Sequence, residues 1–493
     1  MWLEGFAIAL QGINILHLVM GTLIGLLVGA MPGLGPMFGV SLMLPLTFGM
    51  PAATAIIFLS AVHASTAYGD SIASILINTP GGVGSVASCW DGYPMAQQGK
   101  AGTALGISST SSFMGGIIGW VSLMVISPLL ILLALKMGPP EYFLVAIVAL
   151  SLLAMASKGK TLVGLALGGI GLLLAFIGGD PITSSSRFTF GTEYLEDGLP
   201  LVPVALGLFA LSQAFVLAEQ GGTIAQIRSI GRIRDGLLET FRHFTTVIRG
   251  GIAGIILGVM PALGISSASI MAYLVEKRVS KNPETFGTGN PRGLIAPEVA
   301  KNCCIIADLI PTFTLGIPGS SVTALFIAAL TIHGLQPGVK FFQESGALPY
   351  AVFAGILLAQ ISFFVIGLLL ARYFARAVLI PNALIVPMIV FLSTIGSFAM
   401  RNRVEDILVT ILFGYLGYLL HKKDYPAICI VLGLVLGDIT EANFHRAYLI
   451  GRRSYAIFVS SSISIVLISI TLLSITGPYL YRLIRKMKKR VKM

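Results

Sequence analysis

Stretches of about twenty apolar residues recur along this chain, the length a helix needs to cross the hydrocarbon of a bilayer. Of the 493 residues, 55% are hydrophobic and only 11% are charged, and the mean hydropathy is +0.90. The charged fraction is about half that of a soluble domain. An outer-membrane barrel would read as short alternating strands, and none are apparent. The sequence therefore predicts an all-α polytopic membrane protein. That fold carries one rule. In lipid every backbone N–H and C=O must be bonded inside the protein, so the chain leaves a helix only where protein buries it or water reaches it. The run "GTLIGLLVGAMPGLG", residues 21–35, ends in Pro32-Gly33-Leu34-Gly35. Proline lacks the donor and glycine relaxes the backbone, so this run stops being helical at membrane depth.

The same break is written twice. "GGIAGIILGVMPALG" from Gly250 repeats the first run at an offset of 229: Gly21, Gly25, Gly29, Pro32, Leu34 and Gly35 fall on Gly250, Gly254, Gly258, Pro261, Leu263 and Gly264. "GDSIASILINTPG", 69–81, lies over "ADLIPTFTLGIPG", 307–319, at an offset of 238, which puts Asp70 on Asp308, Pro80 on Pro318 and Gly81 on Gly319. Pro139 and Ser151 then match Pro381 and Ser393 at 242. The drift is what loop insertions cause, and the polar stretch "KNPETFGTGNPRG", 281–293, is the evident one. The glycine runs by themselves are read as close helix packing. The Pro-Gly breaks need another reason.

Duplicated membrane halves mark transporters. The reading is a first repeat over 1–220, an Arg-rich cytoplasmic connection over 221–249, a second repeat over 250–450, and an extra helix with a basic tail over 451–493. The tail "YRLIRKMKKRVKM" carries seven basic residues and no acid, and the connection is rich in arginine. By the positive-inside rule both face the cytoplasm. The second half plus the last helix then crosses an even number of times, so each half crosses an odd number and the halves are inverted. Arg446, Arg452 and Arg453, left outside by this scheme, are the objection to it. About 12 crossings are expected, with broken segments at 31–37, 70–82, 260–266 and 308–320 and an elevator-like division into scaffold and transport domain.

A broken helix exposes its ends. N-terminal N–H groups suit an anion, and C-terminal carbonyls suit Na⁺. Hydroxyl and amide groups cluster at both breaks: Ser71, Ser74, Asn78, Thr79, Ser85 and Ser88, then Thr312, Thr314, Ser320, Ser321 and Thr323. A carboxylate is expected between the two tips, against Gly33, Gly35, Asn78, Thr79, Pro80, Gly81, Gly264, Pro318, Gly319, Ser320 and Ser321. Asp70 and Asp308 are the candidate ion-coupling groups, binding Na⁺ or cycling a proton, because ionisable groups at membrane depth are costly and usually functional. Asp91 and His333 read as loop or hairpin-end residues.

Other classes are weaker. The N-terminus "MWLEGFAIAL" lacks the basic region of a cleavable signal and is read as retained. Cys89, Cys303, Cys304 and Cys429 have no metal-ligand spacing and read as packing residues. The net charge of +11 is topology signalling rather than nucleic-acid binding. No cofactor is expected.

The motifs "GLLVGAMPGLGP", "YGDSIASILINTPG", "DGYPMAQQGKAGTALG", "GDPITSSSRFTFGTEYLEDG", "APEVAKN", "LGIPGSSVTALFIAALTIHGLQPG" and "LGLVLGDITEANFHRAYL" span nearly the whole chain. In that order they resemble the large membrane subunit of the tripartite tricarboxylate transporters, the TctA family. The resemblance implies a multi-pass cell-membrane permease that works with a small four-helix membrane subunit and an extracytoplasmic solute-binding protein. Together they would take up a di- or tricarboxylate-like anion on an ion gradient, with membrane lipid around the permease and room for a homodimer. The chain departs from the family pattern at Asp70, where glycine is usual, in "CCIIADLIP" before "LGIPG", and at Lys301, which precedes Asn302 where two asparagines are usual. These departures bear on the substrate.

Two rivals are weighed. An intramembrane aspartyl protease would use two membrane aspartates, a Gly-x-Gly-Asp and a Pro-Ala-Leu. Residue 67 is alanine, and Pro261-Ala262-Leu263 is the repeat copy of Pro32-Gly33-Leu34 and precedes Asp308. A passive anion channel is the other.

Overall fold

Long apolar segments dominate the fold, as the hydropathy requires. The computed structural model describes residues 1–156, 160–180, 185–220, 232–260, 264–377 and 381–490. The first half contains α1 (Trp2–Ala9), α2 (Gly12–Ala30), α3 (Pro36–Met43), α4 (Ala52–Ile77), α5 (Val86–Met95), α6 (Ala101–Ala134), α7 (Pro139–Ala156), α8 (Thr161–Ala175), α9 (Leu201–Ala205) and α10 (Ser212–Gln220). The second contains α11 (Arg234–Arg242), α12 (Phe244–Val259), α13 (Gly264–Val279), α14 (Pro291–Ala307), α15 (Leu309–Leu315), α16 (Ser321–Ile332), α17 (Val339–Glu344), α18 (Leu348–Ala377), α19 (Asn382–Arg401), α20 (Val404–Lys422), α21 (Ile428–Ile450) and α22 (Ser462–Arg490). The only strands among the described residues are two-residue β1 (Gly178–Gly179) and β2 (Ser186–Arg187), paired antiparallel. Eight helical stretches there are long and apolar enough to span a membrane, and six shorter apolar helices accompany them. Leu129, Leu132, Leu369 and Leu412 lie exposed on the helix exteriors, positions that suit lipid.

The glycine runs do what their spacing predicts. On α2 a Cβ at Gly21 would stand 2.7 Å from the Phe58 carbonyl oxygen, and one at Gly25 2.6 Å from that of Val62. On α12 a Cβ at Gly250 would stand 2.9 Å from the Ala296 carbonyl oxygen, one at Gly254 2.7 Å from that of Ala300, and one at Gly258 2.8 Å from that of Cys304. Backbone thus lies on backbone between α2 and α4, and again between α12 and α14. α14 and α15 together occupy the register of α4, with a break at Asp308 that the first copy lacks.

The helices sort into two bundles. α1, α2, α4, α6, α11 to α14 and α18 pack with one another, while α7 pairs with α8, α21 and α22, α8 with α21, and α20 with α9, α10 and α19. α3, after the first break of the first half, and α16, after the later break of the second, bridge the bundles. α3 packs on α4, on α19 and on the wide helical turn Leu206–Leu211, and α16 packs on α3, α4, α9 and α21. Aromatic contacts add to the packing, with Tyr68 of α4 stacked on Phe363 of α18 at 5.6 Å in the first bundle and Phe313 of α15 beside Phe341 of α17 at 5.7 Å.

Candidate functional site

The two breaks of the first half form one tip. α2 ends at Ala30, and Met31 turns extended at ψ 131°. α4 ends at Ile77, and Asn78 takes the left-handed cap at φ 55°. Gly33, at φ +80°, donates its N–H to the Pro80 carbonyl at 3.3 Å. Gly35 and Gly82 face each other so closely that a Cβ on either would stand 3.0 Å from the other's Cα. The Gly81 N–H donates to the Asp70 carbonyl at 3.2 Å. Asn78 and Thr79 are exposed on this tip, Pro80 is half-buried and Gly81 is buried.

The second half repeats the geometry. Gly316 caps α15 in the left-handed region at φ 71°, eight residues after Asp308, as Asn78 stands eight after Asp70. Gly82 (φ −142°, ψ 171°) and Ser320 (φ −147°, ψ 177°) begin the next helical segment in the same extended conformation. Ser85 and Thr323, both three residues on, close the same local ring: the Ser320 N–H donates to Thr323 Oγ1 at 2.8 Å and the Gly82 N–H to Ser85 Oγ at 3.4 Å. Ser320 Oγ also accepts from the Thr323 N–H at 3.3 Å, so this hydroxyl serves its own helix. The Gly319 N–H donates to Thr312 Oγ1 at 3.4 Å. Pro318 and Gly319 are buried, and Ser321 is half-buried at the start of α16. The other second-half break runs from Met260, extended at ψ 113°, to Gly264 at φ +67°, whose Cβ position is open space. Pro261, Ala262 and Leu263 lie outside the described residues.

The two acids are fully buried and differ in company. Asp70 lies inside α4 rather than at a helix end, and its Oδ1 accepts from Lys301 Nζ at 2.8 Å. Asp308 stands between α14 and α15. Among the described residues neither of its carboxylate oxygens has a hydrogen-bond partner, although Ser320 lies near.

Lys301 belongs to a cluster that sequence reasoning did not find. Glu298, one turn earlier on α14, accepts from Ser71 at 2.6 Å, Ser108 at 3.1 Å, Ser112 at 2.9 Å and Ser88, and its Oε2 is 3.2 Å from Lys301 Nζ. Asn302 donates to Ser112 Oγ at 2.8 Å. Three ionisable groups at zero exposure, from α4 and α14, thus meet inside one polar knot. The signal was present in "APEVAKNCCIIA", where an acid and a base one turn apart sit in a mostly apolar, buried stretch of helix.

Other candidates resolve differently. Ser74, Thr312 and Thr314 return their hydroxyls to their own helices. Asp91 is no loop residue. It is buried in α5, and its Oδ1 accepts the N–H groups of Gly287 at 2.9 Å, Gly289 at 2.8 Å and Asn290 at 2.7 Å, pinning the polar insertion to the first half. His333 caps the C-terminus of α16, as a hairpin-end residue would. All four cysteines are buried thiols. Among the described residues no group of three or more His, Cys, Asp or Glu could hold a metal ion. A cavity of about 730 Å³ lies between α16 and the second bundle, lined by Leu199 and Val202 of the first half, Thr331 of α16, Arg401 of α19 and Asp438 of α21.

The family model described as the tripartite tricarboxylate transporter TctA family matches residues 15–432. An uncharacterised 52.8 kDa protein in the TAR-I ttuC' 3' region of Agrobacterium vitis is 35% identical over 473 residues, 95% of this chain and 93% of the relative. An uncharacterised protein in the TAR-II ttuC' 3' region of the same organism is 33% identical over 222 residues, 45% of this chain and 92% of that relative. No solved structure matches.

Proposed function

Because the chain belongs to the tripartite tricarboxylate transporter TctA family, we propose that it is the large permease subunit of a solute-binding-protein-dependent secondary transporter. Its cargo is a di- or tricarboxylate-like anion, and a Na⁺ or proton gradient drives uptake. A small four-helix membrane subunit and an extracytoplasmic binding protein complete the system. The permease sits in the cell membrane with its C-terminus cytoplasmic and its halves inverted.

The observation that carries this reading is the matched pair of tips. At both, a helix ends in a left-handed cap, a Pro-Gly segment runs outside any helix, and a new helical segment starts from an extended residue. The first N–H groups of a helix have no intrahelical acceptor and carry partial positive charge. A carboxylate placed between the "NTPGG" and "GIPGSS" tips satisfies those that the local rings at Gly82–Ser85 and Ser320–Thr323 leave over, without a permanent cation. Exposed Asn78 and Thr79 supply further donors at one tip, and the start of α16 at Ser321 supplies them at the other. Gly35, Gly81 and Gly319 let the tips fold closely onto Gly82, Asp70 and Asp308, and Gly33 and Gly264 take the left-handed turns of the breaks, which holds the tips' N–H groups in place for the anion. Pro80 and Pro318 stop the preceding helix from continuing through the site.

Coupling belongs to the acids beside the tips. Asp308, buried with free carboxylate oxygens, is the better placed of the two to take Na⁺ or a proton. The bundle of α7 to α10 with α19 to α22 serves as scaffold, and the bundle carrying the tips moves against it, with α3 and α16 at the sliding surface. An aspartyl-protease dyad is disfavoured, since Asp70 bonds Lys301 and Asp308 makes no hydrogen bond to it.

The test is uptake of isotope-labelled carboxylates into proteoliposomes holding both membrane subunits, with the binding protein outside and Na⁺ or proton gradients imposed. Accumulation above the external concentration that requires both the gradient and the binding protein supports the proposal. Equilibration that ignores the gradient favours a passive channel.

A further inference from the structure

We propose that Lys301 is a resident counter-ion, filling with its own ammonium a monovalent-cation site built by Asp70, Ser71 and Glu298. An ammonium has three N–H donors and no acceptor. Those of Lys301 meet Asp70 Oδ1 at 2.8 Å, Ser71 Oγ, and Glu298 Oε1 at 3.5 Å, with Glu298 Oε2 ion-paired at 3.2 Å. No donor is left for a substrate carboxylate, so Lys301 does not act as an anion hook. Two carboxylates and a hydroxyl converging on one point at zero exposure are what a desolvated Na⁺ needs, and here the chain supplies the charge itself.

The site is built to receive that side chain. Gly84 makes room for the stem, since a Cβ there would stand 3.0 Å from Lys301 Cδ. The donors around Glu298 come from α4, α5 and α6, so the oxygens are fixed by four elements rather than by one helix. Asp70 Oδ2 is buried with no hydrogen-bond partner among the described residues, and Gly82 lies over it, a Cβ there standing 2.8 Å from this oxygen. The site therefore keeps one unused acid oxygen facing the first tip. The consequence for coupling rests on the transport reading: with the Asp70 site internally occupied, the co-transported cation is left to Asp308.

Removing the ammonium leaves two buried carboxylates and an empty oxygen cage, which an external cation then fills. The experiment uses the full chain purified in detergent. Its melting temperature is followed from 0 to 200 mM NaCl at constant ionic strength, balanced with choline chloride, alongside saturable ²²Na⁺ binding. Wild-type protein and Asp70→Asn are expected to show the same Na⁺ response. Lys301→Met is expected to gain a Na⁺-specific rise of at least about 3 °C and an additional bound Na⁺. The double variant Lys301→Met/Asp70→Asn loses both gains. A folded Lys301→Met that binds no more Na⁺ than wild type overturns the proposal, as does wild-type Na⁺ binding that Asp70→Asn abolishes. Should Lys301→Met aggregate in every salt, recovery of folded protein in the double variant supports the charge-balance argument, and continued aggregation contradicts it. None of these readouts requires transport, so they stand or fall apart from the carboxylate-uptake proposal.

Discussion

Gly319 lies directly on Asp308: a Cβ at 319 would stand 2.7 Å from the Asp308 carbonyl oxygen. Gly81 rests on Asp70 in the same way, its Cβ position 2.6 Å from Asp70 Cα. In each half the broken segment folds back onto the helix that carries the acid. Whatever binds at a tip is one residue's thickness from a buried carboxylate, the proximity that the proposed substrate and coupling sites need.

The coupling prediction follows from that proximity. Uptake is measured against Na⁺ concentration and pH for Asp70→Asn and Asp308→Asn. Asp308→Asn is expected to weaken or abolish the ion dependence. Asp70→Asn, whose partner is Lys301, is expected to lower the amount of folded protein more than it alters that dependence. If both variants keep the wild-type ion dependence, the acids are structural and coupling lies elsewhere.

A second prediction concerns the helix pairs. Gly25→Leu and Gly254→Leu each force a side chain into a backbone carbonyl across the interface. Overpacking of this kind costs about 1–3 kcal/mol or more, so both variants melt lower than wild type. Gly12→Leu, at a position with nothing within 4 Å of its Cβ, is the control and leaves the melting temperature unchanged.

The third concerns Asp91. Replacing it with alanine strands three N–H groups of the 287–290 segment. Gly287 is exposed and Gly289 and Asn290 are half-buried, so water replaces part of the lost bonding and Asp91→Ala is expected to destabilise by about 1 kcal/mol or more. Trypsin should then cut faster at Lys281 or Arg292. Asp91→Asn keeps one acceptor oxygen and is expected to fall between.

The sequence made the repeat and its breaks legible because glycine and proline act locally. Gly21, Gly25 and Gly29 mark a close backbone contact wherever they occur, and Pro80-Gly81 stops a helix whatever lies around it. The left-handed cap at Asn78 and the extended start at Ser320 follow from such local rules. The Lys301 knot was out of reach for the opposite reason. Asp70 and Lys301 are 231 residues apart, each was noticed alone as a departure from the family pattern, and nothing in a single sequence says which buried acid meets which buried base. The rule that charges at membrane depth pair would have suggested the match. Asp91 misled because its neighbours Gly92, Tyr93 and Pro94 read as a loop, yet they lie in α5, with Pro94 inside the helix.

If the broken backbone itself is the binding device, as proposed, Gly319→Val disables it. Gradient-driven uptake of labelled carboxylate is measured for this variant at matched membrane level and melting temperature, with Gly319→Ala as the smaller step. A loss of at least about tenfold is expected for valine, since a misplaced site of this kind costs orders of magnitude, and a lesser loss for alanine. Undiminished uptake by correctly inserted Gly319→Val would contradict it and move the substrate away from the tips.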